Sequence, residues 1–163
     1  GMLSRREAGA AIAGASIAAA GAGEAGAAGK KKLQPVVATD RQMAVVKVTS
    51  WVKKHPKAGA RDLVVGLGGE PYWLIAGKEG SVESYALRAE CTHLGCLADY
   101  RPELTKYVCP CHGSEYDKEG RVLRGPAPRA LDLAKVEVLE DGTVQISEWD
   151  MKDFRAAGGD AKA

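Results

Sequence analysis

All four cysteines and two of the three histidines of this 163-residue chain fall between positions 91 and 112. They lie in two short boxes. The first reads Cys91-Thr92-His93-Leu94-Gly95-Cys96, and the second Cys109-Pro110-Cys111-His112-Gly113-Ser114-Glu115-Tyr116. Each box holds one Cys and one His two or three positions apart, plus one further Cys, and fifteen residues separate His93 from Cys109. Cysteines this concentrated signal a metal site, a disulfide, or both. If the boxes share a site, the fold must bring two separate loops to one point.

Two thiolates and two imidazoles can fill four coordination positions. One candidate is a structural zinc of the Cys2His2 kind. Zinc sites usually pair Cys with Cys and His with His along the chain, and zinc leaves Cys96 and Cys111 without a role. The other candidate is a 2Fe-2S centre in which His replaces Cys on one iron. Cys91 and Cys109 then serve one iron, and His93 and His112 the other. The spare cysteines, Cys96 and Cys111, can join the two loops as a disulfide, which needs an oxidising compartment.

The length suits one compact domain plus tails and leaves no room for a second catalytic domain. A net charge of +2 gives no reason to expect nucleic-acid binding. The excess is N-terminal: Arg5, Arg6, Lys30, Lys31 and Lys32 face only Glu7 and Glu24. Between those two glutamates lie sixteen uncharged residues, mostly Ala and Gly. A helix of that length reaches about 24 Å, short of the ~30 Å hydrocarbon core. The Arg5-Arg6 pair before a weakly apolar stretch resembles a twin-arginine export signal. Residues 1–32 are therefore expected to be an export signal or weak membrane anchor followed by a Gly/Ala-rich linker.

A domain is expected over 33–155, with a flexible tail over 156–163. Short apolar runs bounded by turn residues predict strands at Ala44–Val48, Leu63–Gly66, Tyr72–Ala76, Ser84–Ala89, Lys135–Leu139 and Thr143–Ser147. Asp141-Gly142 marks a hairpin between the last two. Trp51–Lys54 reads as part of a short helix. The fold class is all-β. Gly66-Leu67-Gly68-Gly69 reads as a turn and not a dinucleotide fingerprint. Trp73 and Trp149 are expected in or near the core, and His55 in a surface loop.

The boxes CTHLGC and CPCHGSEYD, with Gly125-Pro126-Ala127-Pro128 after them, resemble the signature of the Rieske iron–sulfur family. Over roughly 51–155 the chain is similar to the Rieske subunit of the photosynthetic cytochrome b6f complex. The similar stretches include GLGGEPYWLIAGKEGSVESYALRAECTHLGC, GRVLRGPAP and SEWDMKDFR. This resemblance implies an antiparallel β base with an inserted cluster-binding subdomain, about residues 90–130. It implies one 2Fe-2S cluster on Cys91, His93, Cys109 and His112, and a Cys96–Cys111 disulfide. Hydroxyls of Ser114 and Tyr116 would donate to a bridging sulfide and a cysteine sulfur. Leu94 would face quinol, and Gly125, Pro126, Ala127 and Pro128 would form the loop covering the cluster. Two departures from the family pattern stand out: Leu97-Ala98-Asp99-Tyr100-Arg101-Pro102, and Arg129 after the proline loop. Both are expected near the cluster-bearing tip.

The implied function is electron transfer from plastoquinol to cytochrome f and plastocyanin, at the lumenal side of a thylakoid membrane. Cytochrome f and cytochrome b6 would be partners. The chain would be a subunit of a plastoquinol–plastocyanin reductase and not catalytic alone. The rival readings are a free Rieske carrier of the lumen or periplasm, and a non-redox assembly factor on the same fold. The ligand set has a chemical logic of its own. Two thiolates and two neutral imidazoles bring an oxidised 2Fe-2S core to about zero charge, where four thiolates bring it to about −2. Adding an electron to a neutral site is easier than adding one to a dianion, so the potential rises.

Overall fold

The structure, a computed structural model, describes residues 32–158. The expected export signal, and all of the linker except Lys32, lie outside the described residues. No helix among the described residues is long and apolar enough to cross a membrane.

Among the described residues, ten strands form two antiparallel sheets. The base sheet has six strands in the order β1 (Val36–Val37), β10 (Val144–Glu148), β9 (Leu133–Val138), β4 (Tyr85–Arg88), β3 (Pro71–Ile75) and β2 (Arg61–Val65). The second sheet has four short strands: β5 (Asp99–Arg101), β6 (Lys106–Val108), β7 (Glu115–Tyr116) and β8 (Val122–Arg124). In sequence it falls between β4 and β9, which are neighbours in the base. An inserted unit thus leaves the base sheet and returns to the adjacent strand.

The run Tyr72-Trp73-Leu74-Ile75 is apolar without alternation because the base sheet is buried on both faces. Tyr72 and Leu74 enter one core with Val64, Ala86, Val136, Val144 and Ile146. Trp73 and Ile75 enter the other with Leu87 and Leu131, and that second core continues into the insert through Tyr107, Tyr116, Cys91 and Cys109. The apolar packing of the base and the sulfur-bearing loops is therefore one continuous body.

The first core is covered by α1 (Val48–Lys54), whose Trp51 is buried. The expected strand over Ala44–Val48 is only a pair of isolated bridges, Thr39 to Val45 and Lys47 to Thr143, before the helix starts at Val48. Successive residues there pair with different neighbours, so no ladder forms. Pro56 disfavours helical backbone at His55, and the helix ends there. His55 lies in the loop the sequence suggests, but its side chain is half-buried rather than at the surface. Its ring lies 4.2 Å from that of Trp51, its Nδ1 is 2.9 Å from the Trp51 carbonyl, and its Nε2 is 3.4 Å from Asp62.

Two arginines fasten the insert to the base. Arg61 on β2 lies 4.2 Å over the Tyr100 ring of β5 and donates to the Lys118 carbonyl at 2.7 Å. Arg155, after β10, is buried; it donates to the Leu131 carbonyl at 2.8 Å and the Glu119 carbonyl at 3.2 Å.

Candidate metal centre

The two boxes form loops with the same backbone pattern. In the first, the Cys91 N–H donates to the Cys96 carbonyl at 2.7 Å, and the Gly95 N–H returns to the Cys91 carbonyl at 2.9 Å. In the second, Cys109 donates to Ser114 at 2.8 Å, and Gly113 returns to Cys109 at 3.0 Å. Each loop closes at a glycine four residues past its first cysteine. Gly95 has φ +79 and Gly113 φ +74, the left-handed region that favours glycine. Cys91 and Cys109 are thus held at equivalent corners, each with its thiol buried and free. His93 and His112 follow on the outer side of the loops. Their rings meet edge to face, 4.8 Å apart. His93 is half-buried and His112 exposed.

Cys96 and Cys111 are joined as a disulfide between the loops. The sulfurs of Cys96, Cys109 and Cys111 all lie within 4.8 Å of one another. That trio is not a ligand set, because two of its members are bonded to each other. The thiols left for a metal are Cys91 and Cys109.

Tyr116, on β7 and fully buried, places its hydroxyl 3.1 Å from the Cys91 sulfur. It accepts the Thr92 N–H at 3.1 Å. The Thr92 hydroxyl donates to the Arg129 carbonyl at 2.6 Å, so it does not donate to Tyr116; the Tyr116 hydrogen then has two acceptors within reach, the Cys91 sulfur and the Thr92 oxygen at 3.2 Å. Burial, then the bond to Cys91, pushes the Tyr116 phenol up to about 12, which keeps it a donor at neutral pH. Burial alone would raise the Cys91 thiol; hydrogen bonds from Tyr116 and the His93 backbone outweigh it, and the net direction is down. Cys109 goes the other way, pushed up by burial.

Ser114 is fully buried, and its Oγ accepts the Ala127 N–H at 3.0 Å. This contact ties the segment Gly125-Pro126-Ala127-Pro128 to the second loop. Thr92 ties the following residue, Arg129, to the first. Leu94 is 70% exposed between His93 and Gly95. The departures from the family pattern do different things. Ala98 is buried and its carbonyl accepts the Trp73 indole N–H at 3.0 Å; Tyr100 sits under Arg61. Part of that segment therefore builds the junction with the base. Arg129 is ion-paired with Asp132.

Sequence reasoning did not single out Thr92, Arg61 or Trp73 as supports of this site. Only Thr92, inside a box, carried a local signal: a hydroxyl beside a candidate ligand.

The donor set fits an iron–sulfur centre. Two buried thiols are free, one lies within hydrogen-bond distance of the Tyr116 hydroxyl, and two imidazoles stand beside each other on the outer side. The fold and the paired loops define an iron–sulfur electron-transfer domain. The family model described as Rieske [2Fe-2S] domain matches residues 36–140, and the chain belongs to that family. Its cofactor is one 2Fe-2S cluster.

Among relatives, the chain is 51% identical over 110 residues to the cytochrome b6-f complex iron-sulfur subunit 1 of the Cyanophora paradoxa cyanelle, covering 68% of this chain and 46% of that protein. It is 48% identical over 110 residues to the chloroplastic subunit of Volvox carteri, covering 68% and 53%. The Prochlorococcus marinus subunit is 47% identical, covering 68% and 61%. The chain thus spans about half the length of the curated relatives it matches. It is also similar to the crystal structure of a cyanobacterial plasma membrane Rieske protein from Synechocystis. That comparison has 28% identity, a TM-score of 0.48, and coverage of 64% of this chain and 98% of the other.

Proposed function

We propose that this chain is the cluster-bearing head of a cytochrome b6f complex, taking an electron from plastoquinol and passing it to cytochrome f and then plastocyanin. In this reading Cys91 and Cys109 hold one iron, and His93 and His112 the other. The single observation that carries it is the pair of matched loops, which buries two free thiols and turns two adjacent imidazoles and Leu94 outward. The iron-sulfur subunits named above support the choice of complex. Residues 1–32 would serve as export signal or anchor with linker, and 33–155 as the domain.

A bound 2Fe-2S cluster supplies one-electron chemistry. The chain's residues do the rest. Tyr116 donates to the Cys91 sulfur, which favours a more negative site and so raises the potential. Ser114 accepts from Ala127 and keeps its own hydrogen to donate. The outward ring nitrogens of His93 and His112 hold or release a proton at the surface a quinol hydroxyl would approach. Leu94 offers that quinol an apolar contact. The proline loop and the Cys96–Cys111 bridge keep water and slack out of the site.

The test is a redox titration of matured protein followed by EPR, together with co-purification from thylakoid membranes. The reading expects the rhombic signal of a His-ligated cluster at a high potential, and recovery with cytochrome f and cytochrome b6. A chain found only in the soluble lumenal fraction would make it a free carrier. Material with no iron and sulfide, or with all-thiolate ligation, would remove the site assignment.

A further inference from the structure

Three of the four sulfurs form a triangle, with the Cys109 sulfur within 4.8 Å of both sulfurs of the disulfide. Thiol–disulfide exchange requires a sulfur nucleophile beside a disulfide, and here the two are held together by the fold. We infer that, without its cluster, this domain isomerises: the Cys109 sulfur attacks Cys96 and displaces Cys111.

The step balances without any co-reactant. The Cys96–Cys111 bond breaks, a Cys96–Cys109 bond forms, and one proton passes from the Cys109 thiol to the departing Cys111. No oxidant or reductant is consumed. Cys109 and Cys111 lie two residues apart in one loop, so the exchange moves the crosslink along that loop and leaves the first loop in place. Each loop remains closed by backbone bonds that involve no sulfur, so the partners stay near each other when the cluster leaves. Cys111 is exposed, and its thiol departs into water, while Cys109 is buried. Cys91 is not part of the triangle.

The consequence is a record of cluster loss written into the chain. The isomer has only one of its two ligand thiols left, so it does not reload by simple addition of iron and sulfide. The order of assembly follows: a cluster in place occupies Cys109 and leaves Cys111 as the partner for Cys96. This protective part rests on the proposed reading of Cys109 as a ligand; the exchange itself does not.

The experiment uses the full chain in two forms, loaded with cluster and stripped by a chelator. The stripped form is desalted anaerobically to remove released sulfide. Both are held at pH 8 for a day, because uncatalysed reshuffling takes up to hours. Free thiols are then blocked with iodoacetamide, and the linkages are located by tandem mass spectrometry. The stripped protein is expected to show a Cys96–Cys109 linkage with Cys111 alkylated, and the loaded protein only Cys96–Cys111. A stripped sample with Cys109 alkylated and the original bond intact overturns the exchange and leaves the ligand reading untouched. Equal isomerisation in both samples supports the exchange and instead overturns Cys109 as a ligand. In stripped Cys109→Ser, any alkylated Cys111 under the same conditions overturns Cys109 as the attacking sulfur.

Discussion

The base and the insert are held by different means. Base strands run to six residues, bury both faces, and share a core that includes Leu74, Val144 and Ile146 without measurable exposure. Insert strands are two or three residues long and cannot bury much area on their own. Their order comes from the base core, which continues into them through Tyr107 and Tyr116, and from specific links: a disulfide, two matched backbone clasps, the contact of Tyr116 with Cys91, and the arginines at the seam. Where a chain must expose ligands at a tip, its short strands borrow a neighbour's core and add such links to it.

The sharpest challenge to this contrast is Leu74→Ala. Leu74 is fully buried in the base core, and such truncations cost about 2–5 kcal/mol. Denaturant melting should show a lower midpoint, with circular dichroism and the cluster absorbance lost together. If the cluster were lost well before the β signal, the base would not be the support of the insert.

Replacing both Cys96 and Cys111 by Ser should do the opposite. A bridge closing a sequence separation of 15 is worth about 3 kcal/mol in the chain-entropy model. Hydrogen exchange is expected to speed up across 91–128, while amides of β2, β3 and β10 keep their protection. Equal loss of protection in the base would erase the distinction between the two regions.

These contrasts also explain what was legible beforehand. The boxes stood out because Cys and His are rare and their spacing is fixed by chemistry. The Tyr72–Ile75 run and the Asp141-Gly142 turn carried strong local signals. The four insert strands carried none, since two or three residues cannot display a period. The seam was hidden for another reason. Arg61 meets Lys118 across 57 positions, and Arg155 meets Leu131 across 24. Nothing local to either arginine announces such a partner. His55 before a proline reads correctly as loop, but nothing local shows that its ring packs back on Trp51 of the helix it terminates.

Tyr116→Phe tests the finer links within the insert. It removes the hydroxyl that lies 3.1 Å from the Cys91 sulfur and 3.1 Å from the Thr92 amide. A hydrogen bond of this kind is worth about 1 kcal/mol. For a one-electron couple, where a tenfold change is about 59 mV, this lowers the midpoint potential by tens of millivolts. The cluster should stay assembled, with the melting midpoint lowered by only about a few degrees. An unchanged potential would show that the hydroxyl serves packing alone.

The smallest effect is electrostatic and concerns the seam. The Asp153 carboxyl is held below the usual carboxylate range, first by hydrogen bonds from the Arg155 side chain, at 2.9 and 2.7 Å. A carboxylate with a lowered folded value contributes stability that is present above its unfolded value, near 4, and is lost as pH falls through the folded value. Asp153 is 40% exposed, so solvent screening keeps the contribution under about 1 kcal/mol. Asp153→Asn should therefore be slightly less stable than the parent at pH 7, with the gap closing toward pH 3. The change belongs at the seam, because the same guanidinium holds the Leu131 and Glu119 carbonyls. Exchange of the Leu131 amide, which bonds the Gly120 carbonyl at 2.9 Å, is the local readout. Asp141→Asn is the control. Asp141 is also lowered, first by Lys47, but it sits on the base hairpin and should leave the Leu131 amide unaffected. A gap that does not vary with pH would mean that the Asp153 charge is not what holds Arg155 in place. The seam would then rest on the carbonyl contacts of Arg155 alone.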